Sequence, residues 1–199
     1  MDLDLEGRRA LVTGSSGGIG AEIARALASE GARVVVHGRS AERAEGVVDE
    51  IRGEGGEAIS VLGDLSSDPE TETMVLAVEQ ELGGVDILVN NVGSFHAQPW
   101  ETTDVDGWRA TLEATLMSTV RMCRRFAPGM SERGWGRLIQ VASVSATIAP
   151  PPLVSYAAAK AGVVNLTLAL SQEYGLSIGD LADASGKSVT PFAITRTRG

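Results

Sequence analysis

Short runs of β-branched and aliphatic residues recur along the chain, each followed by a longer stretch whose apolar positions repeat every three to four residues. The first kind of run suits a strand covered on both faces and the second a helix burying one face, so their alternation predicts a parallel sheet with crossover helices. The predicted strands are residues 10–13, 33–37, 58–62, 85–89 and 137–141, and the predicted helices are residues 19–30, 41–52, 69–82, 106–126 and 154–173. Ser67-Asp68-Pro69-Glu70 opens the third helix with capping-box spacing and a Pro in its first turn, while Gly31 and Gly83 stop the first and third. Pro150-Pro151-Pro152 falls between a strand and a helix, and reads as a rigid loop rather than a linker. No repeat or low-complexity tract interrupts the pattern, so residues 1–175 read as one domain and residues 176–199 as a divergent tail.

Composition narrows the classes. With 199 residues, 43% hydrophobic and 22% charged, the chain can bury a core and resembles neither a disordered acidic segment nor a coiled coil. Seventeen basic against 26 acidic residues, a net charge of -9, argue against sequence-independent binding of nucleic acid, which depends on neutralising phosphates. The single cysteine, Cys123, leaves no disulfide within the chain and no CxxC metal site, which fits a reducing compartment. No apolar run is expected to approach the roughly 18 residues that span a bilayer. The segment Met1-Asp2-Leu3-Asp4-Leu5-Glu6 lacks the basic flank and apolar stretch of a signal peptide. A soluble cytoplasmic protein is expected, with no metal, membrane or nucleic-acid partner.

The high glycine count, 24, becomes informative at one place, Thr13-Gly14-Ser15-Ser16-Gly17-Gly18-Ile19-Gly20, between the first strand and the first helix. A tight turn alone explains such a cluster. The strand–turn–helix setting adds a second reading, in which unpaired N–H groups at a helix start face a pyrophosphate and small residues let it come close. Further pieces follow in order: Gly63-Asp64-Leu65 after the third strand, Asn90-Asn91-Val92-Gly93 after the fourth and Ser143 after the fifth. Tyr156-Ala157-Ala158-Ala159-Lys160 then begins thirteen residues beyond that serine. Tyr156 and Lys160 are four apart on a predicted helix and so share a face. An ammonium favours the ionised form of a neighbouring phenol, a pairing suited to proton transfer, and a serine at a strand end can hydrogen-bond an oxygen on which charge develops.

Together the TGxxxGxG loop, the Asn-Asn-Val-Gly segment, Ser143 and the YxxxK pair resemble the short-chain dehydrogenase/reductase family over about residues 5–174. The stretch Gly134-Trp135-Gly136-Arg137 resembles its 3-oxoacyl-acyl-carrier-protein-reductase-like branch. The resemblance implies a Rossmann-like, doubly wound α/β fold with helices on both faces of a parallel sheet, and hydride transfer between a nicotinamide cofactor and a carbonyl or alcohol. By carry-over, Tyr156 protonates the carbonyl oxygen, Ser143 steadies it, and Lys160 holds the nicotinamide ribose. Gly14, Ser15, Ser16, Gly18, Ile19 and Gly20 form the pyrophosphate loop, Asp64 and Leu65 meet the adenine, and Asn91, Val92 and Gly93 line the adenosine ribose. The long helices are expected to pair subunits into a homodimer or homotetramer.

Cofactor choice turns on Val36-His37-Gly38-Arg39-Ser40. A ribose 2'-hydroxyl is usually held by an acid at the end of this strand, but here Gly38 and then Arg39 stand there, and Arg binds a 2'-phosphate bidentately. That favours NADP(H) over NAD(H), the alternative being a solvated loop arginine; His37 reads as a strand-end residue rather than a ligand. Two departures from the family pattern stand out. Ala114-Thr115-Leu116 occupies the place of a VNL-like stretch, so a hydroxyl replaces the amide expected in the proton relay. After residue 175 a parallel sixth strand, a Pro-Gly turn and a substrate lobe are expected, but only Ser188-Val189-Thr190-Pro191 with Ala193-Ile194 faintly resembles them. If that match is not real the tail is unrelated sequence, and a sheet lacking its last strands leaves an exposed edge. Two functions therefore remain open, a working oxidoreductase and a catalytically impaired nucleotide-binding or interaction protein.

Overall fold

A computed structural model of the chain describes residues 3–95 and 99–174, with the backbone of Ser177–Gly179 and Ala193–Arg196. Strands β1 (Arg9–Val12), β2 (Arg33–Gly38), β3 (Glu57–Leu62), β4 (Ile87–Asn90) and β5 (Arg137–Gln140) pair in parallel in the order β3-β2-β1-β4-β5. The order reverses between β1 and β4, and a crevice opens at the carboxyl ends of strands where such a reversal occurs. The predicted strands all form, with boundaries moved by one or two residues.

Alternate strand residues face two separate cores, which is why these strands read as continuous apolar runs. Ala10, Val12, Val34, Val36, Ile87 and Val89 pack with Ala24, Ala28, Val48 and Ile51 of helices α1 (Gly18–Ser29) and α2 (Ala41–Gly53). On the other face Leu11, Val35, Val61, Leu88 and Leu138 meet α3 (Asp68–Leu82) and the helix through Phe126 and Met130. The Ser67 hydroxyl accepts from the Glu70 N–H at the start of α3, and Gly83 closes that helix in the left-handed conformation.

The helix expected over residues 106–126 is interrupted. It consists of α4 (Val105–Leu112), a π-helical turn (Glu113–Met117) and α5 (Ser118–Glu132). Pro128 sits within α5. A 3₁₀ turn (Trp100–Thr102) and a short helix α6 (Ser145–Ile148) were not expected. Helix α7 (Val154–Glu173) forms over the predicted residues. By length and composition it could cross a membrane, which corrects the expectation that no run comes near that limit. In this fold it packs on α4, α6, the π turn and β5, with Lys160, Thr167 and Ser171 buried.

Past residue 175 the described backbone holds two short strands. Strand β7 (Ala193–Arg196) pairs antiparallel with β5, and β6 (Ser177–Gly179) pairs antiparallel with β7. The edge of β5 is thus covered, and by an antiparallel neighbour where a parallel sixth strand was expected. Residues 188–192 lie outside the described residues.

At the opposite end of the sheet Asp86, 7% exposed, takes Arg9 in a fork, with Nε to Oδ2 at 2.8 Å and Nη2 to Oδ1 at 2.5 Å. The Arg9 backbone N–H adds a bond to Oδ2 at 3.2 Å, and Arg133 stands 3.4 Å from Oδ1. Burial alone would raise the Asp86 pKa, but the Arg9 hydrogen bonds and the two positive charges outweigh it and hold the carboxyl below its usual range. Asp86→Ala should lower the unfolding free energy in urea by about 2–3 kcal/mol, since a half-buried guanidinium loses its partner. A carboxyl whose folded pKa lies below its unfolded value near 3.9 stabilises fully above that value, and its contribution fades as pH falls through the folded one. The difference between wild type and Asp86→Ala should therefore shrink below about pH 4.

Candidate active site

The carboxyl ends of β1, β2, β3 and β4 surround a cleft of about 630 Å³, lined by Gly14, Ser16, His37 to Ser40, Arg43, Gly63 to Ser66 and Asn91 to Phe95. Its floor is tied by Thr13. The Thr13 hydroxyl donates to Val89 O at 3.2 Å and accepts from the N–H groups of Asn91 at 2.9 Å and Val92 at 3.2 Å. The Asn91 amide donates to the carbonyls of Thr13 and Gly14, both at 3.1 Å. These bonds supply partners for backbone groups stranded where two strands end and the chain turns away.

The glycine-rich loop is shaped by close approach. Gly14 and Gly18 hold positive φ, +67° and +57°. At Gly20 a Cβ would lie 2.5 Å from Gly14 O, 2.6 Å from Asn91 Nδ2 and 2.9 Å from Ser15 Cα, so no side chain fits. Ser16 is partly exposed, and Gly18 and Ile19 are exposed at the start of α1, open to a ligand. Ser15 is different. It is fully buried, its hydroxyl donates to Val12 O at 2.6 Å and accepts from His37 N at 2.9 Å, and so it supports the loop from within.

Along the outer wall Arg39 is exposed and stands 3.7 Å from Asp64, whose carboxyl is held low first by the Ser66 backbone and hydroxyl hydrogen bonds and then by Arg39. Leu65, 2% exposed, anchors this wall in the core. At Gly38 a Cβ would meet Ser16 Oγ at 2.5 Å, so the position that often bears an acid has no room for one without moving Ser16. Arg43 was missed in the sequence. It sits in the first turn of α2, four residues after Arg39, and reaches over Gly17, where a Cβ would come within 2.7 Å of its Nη2.

The other end of the cleft gathers the YxxxK pair. Lys160 is 3% exposed, and its Nζ donates to Val141 O at 2.7 Å. Burial lowers its pKa from 10.5 to about 8. Nζ stands 5.8 Å from the centre of the Tyr156 ring, and the Cβ position of Gly93 is 3.4 Å from Nζ. Ser143 Oγ accepts from the Ser145 N–H at 3.1 Å, which leaves its O–H free to donate outward. The π turn sets Thr115, fully buried, against this group: its hydroxyl accepts from the Ser94 N–H at 3.1 Å. A π turn aims one residue off the regular helical face, a feature frequent at functional sites. Phe95 was also missed; it is 65% exposed and stands edge-on to Tyr156, with ring centres 5.3 Å apart. Among the described residues no group of three or more His, Cys, Asp or Glu could hold a metal.

The steric argument at Gly20 is testable without any ligand. Gly20→Ala should cost about 1–3 kcal/mol of unfolding free energy, because two of its three near neighbours are backbone atoms. Gly46→Ala, at an exposed mid-helix position of α2 with nothing within 4 Å, should be neutral or stabilise by up to about 1 kcal/mol. Paired denaturant titrations would measure both.

This arrangement is shared with known proteins. The family model for short chain dehydrogenase matches residues 8–178. The D-threitol dehydrogenase of Mycolicibacterium smegmatis is 37% identical over 174 residues, covering 87% of this chain and 67% of that protein. The D-beta-hydroxybutyrate dehydrogenase of Cupriavidus necator is 38% identical over 167 residues, covering 82% and 63%. A crystal structure of a gluconate 5-dehydrogenase from Burkholderia cenocepacia, in complex with NADP and tartrate, superposes with a TM-score of 0.80 at 34% identity, covering 86% of this chain and 67% of that one. The chain thus spans about two thirds of the length of these relatives. A parallel sheet with its reversal at β1 and β4, a glycine-rich loop at that reversal, and Ser143, Tyr156 and Lys160 on the elements that follow make the chain a member of the short-chain dehydrogenase family.

Proposed function

We propose that this chain is an NADP(H)-dependent oxidoreductase acting on a carbonyl or alcohol. One observation carries the reading: a single cleft runs from two arginines at its outer end to Gly93, beneath which a buried lysine lies beside a half-buried tyrosine. The cleft fits a dinucleotide in its chemistry. The loop over residues 14–20 and the start of α1 would receive the pyrophosphate, and Asp64 and Leu65 would border the adenine. Arg39 and Arg43 would meet a 2'-phosphate, with no acidic side chain at Gly38 to repel it.

When bound, the nicotinamide supplies or takes the hydride. Tyr156 gives its hydroxyl proton to the carbonyl oxygen in reduction and removes it from the alcohol in oxidation. Ser143, with a lone pair fixed by the Ser145 N–H, donates its own proton in a hydrogen bond to the same oxygen. Lys160 spends one N–H on Val141 O and keeps two for ribose hydroxyls or water. Thr115 holds the loop between Gly93 and Phe95 through Ser94 N–H, a task that a hydroxyl performs as an acceptor. The exposed flank of α7 at Ala158, Ala161 and Leu168 supports pairing with a second copy, and the cytoplasm suits the composition.

The antiparallel β7 beside β5 favours a second reading, nucleotide binding with little turnover, because a parallel sixth strand is what the family pattern implies there. Turnover and binding separate the two. Tyr156→Phe should cut NADPH-dependent ketone reduction about 100-fold or more while leaving the NADPH dissociation constant unchanged. Tight NADPH binding by wild type with no turnover on a panel of ketones would select the second reading. The arginine assignment is tested by binding alone: Arg39→Ala should weaken NADPH about tenfold and leave NADH unaffected.

A further inference from the structure

His37 is buried to 2% exposure at the end of β2, and its four hydrogen bonds reach two different loops. Its backbone exchanges two bonds with Ser15: His37 N donates to Ser15 Oγ at 2.9 Å, and Ser15 N donates to His37 O at 2.8 Å. Its ring makes the other two. Gly14 N–H donates to Nδ1 at 3.1 Å, and Nε2 lies 3.1 Å from Gly63 O. A backbone N–H can only donate and a carbonyl can only accept, so Nδ1 must be bare and Nε2 must carry the proton. The neutral Nε2–H tautomer is the single form that satisfies both contacts; the imidazolium would set Nδ1–H against Gly14 N–H.

Gly14 opens the glycine-rich loop and Gly63 opens the segment leading to Asp64 and Leu65, and these two stretches are opposite walls of the cleft. We propose that His37 is a positioning residue for the dinucleotide: as the neutral Nε2–H imidazole it clamps the glycine-rich loop to the loop after β3 and so sets the width of the adenosine end of the cleft. The proposal rests on the nucleotide-binding reading above. It gives this side chain a task that a strand-end residue does not need, since a valine there would fill the same space without bridging the walls. Burial pushes the imidazole down to about 4, against smaller opposing contributions from the Gly63 carbonyl and the Asp64 charge. The clamp is therefore in its working form throughout the neutral range, with Arg39, Arg43 and Asp64 the charged groups lining the cleft near it.

The test uses the whole chain with NADPH and with 2',5'-ADP, which carries the adenosine end alone. In wild type, ¹⁵N-detected NMR should report the Nε2–H tautomer with no titration above about pH 5. His37→Phe fills the space but leaves Gly14 N–H and Gly63 O unpaired, and it should weaken both ligands about tenfold or more. His37→Asn, whose amide oxygen can stand where Nδ1 does and accept from Gly14 N–H, should recover most of that loss. Turnover at saturating NADPH should be the same in all three, so the effect sits in cofactor affinity and not in the chemical step. An Nδ1–H tautomer, or a folded His37→Phe that binds 2',5'-ADP as wild type does, overturns the clamp alone. Wild type that binds neither ligand overturns the nucleotide reading itself. Should His37→Phe fail to fold, His37→Asn and His37→Gln compared at equal thermal stability decide between a clamp, which ranks them by retained hydrogen bonds, and plain packing, which does not.

Discussion

Everything at the working end of this protein hangs on the contact between the carboxyl ends of β1 and β4. Two parallel strands that part company there strand their last backbone groups, and unpaired polar groups at a buried site cost about 1–3 kcal/mol each. Thr13 and Asn91 between them satisfy the local set, three bonds through one hydroxyl and two through one amide. The arrangement draws Asn91 so close to Gly20 that a methyl group at residue 20 would lie 2.6 Å from its nitrogen. The glycine that ends the loop, Gly20, is thus a consequence of the knot beneath it as much as of any ligand above. The same knot sets where α1 begins, and with it the direction in which the first helix presents its unpaired N–H groups.

From that contact the cleft extends in two directions with different chemistry. Towards β2 and β3 the wall is neutral backbone stiffened by His37 and Ser15, and cations enter only at the rim. Towards β5 a set of buried polar side chains lies behind the cleft: Lys160 on Val141 O, Thr115 on Ser94 N–H, and, one residue before the knot, Asn90 facing Gln140 across the β4–β5 ladder. Asn90 and Gln140 both direct their amide N–H groups at Cys123 Sγ, at 3.4 Å, while their amide oxygens are left without partners. Lys160 is buried as well, and that burial lowers its pKa to about 8.

Much of this was legible in the residues, and the reasons for the exceptions are physical. Strands buried on both faces and helices with defined caps leave strong patterns, so β1 to β5, α3 and α7 came out nearly in register. The motifs of the glycine-rich loop and of residues 63–65 and 90–93 sit at strand ends whose location follows from the sheet order, while the Tyr156–Lys160 pair lies on α7. What periodicity could not show was the π turn over residues 113–117, which changes the aim of Thr115 without altering the apolar pattern. Nor could it show the antiparallel β7, since alternation along a four-residue strand carries no strand direction. Arg43 and Phe95 were invisible for another reason: a first-turn arginine and a loop aromatic look ordinary until the fold brings them to Gly17 and Tyr156. Ser15, expected in the pyrophosphate loop, is buried, with its hydroxyl on Val12 O and its N–H on His37 O.

The two ends of the sheet show how stability and chemistry have been kept apart. At the amino ends Asp86 collects Arg9 in a fork with Arg133 nearby, an ion pair with its hydrogen bonds made and its charges balanced. At the carboxyl ends the polar groups are unevenly matched: two amide oxygens without partners and a buried lysine with one protein acceptor for three protons. Each of these is unfavourable in isolation, and backbone strain or an unmatched buried polar group persists only where the surroundings over-determine it. The well-packed core on both faces supplies that constraint, from Leu11 and Val35 on one side to Val12 and Val34 on the other. A rigid, fully paired base therefore lets the opposite end keep donors and charges uncommitted, and uncommitted groups are what a site needs if its partner arrives from solution.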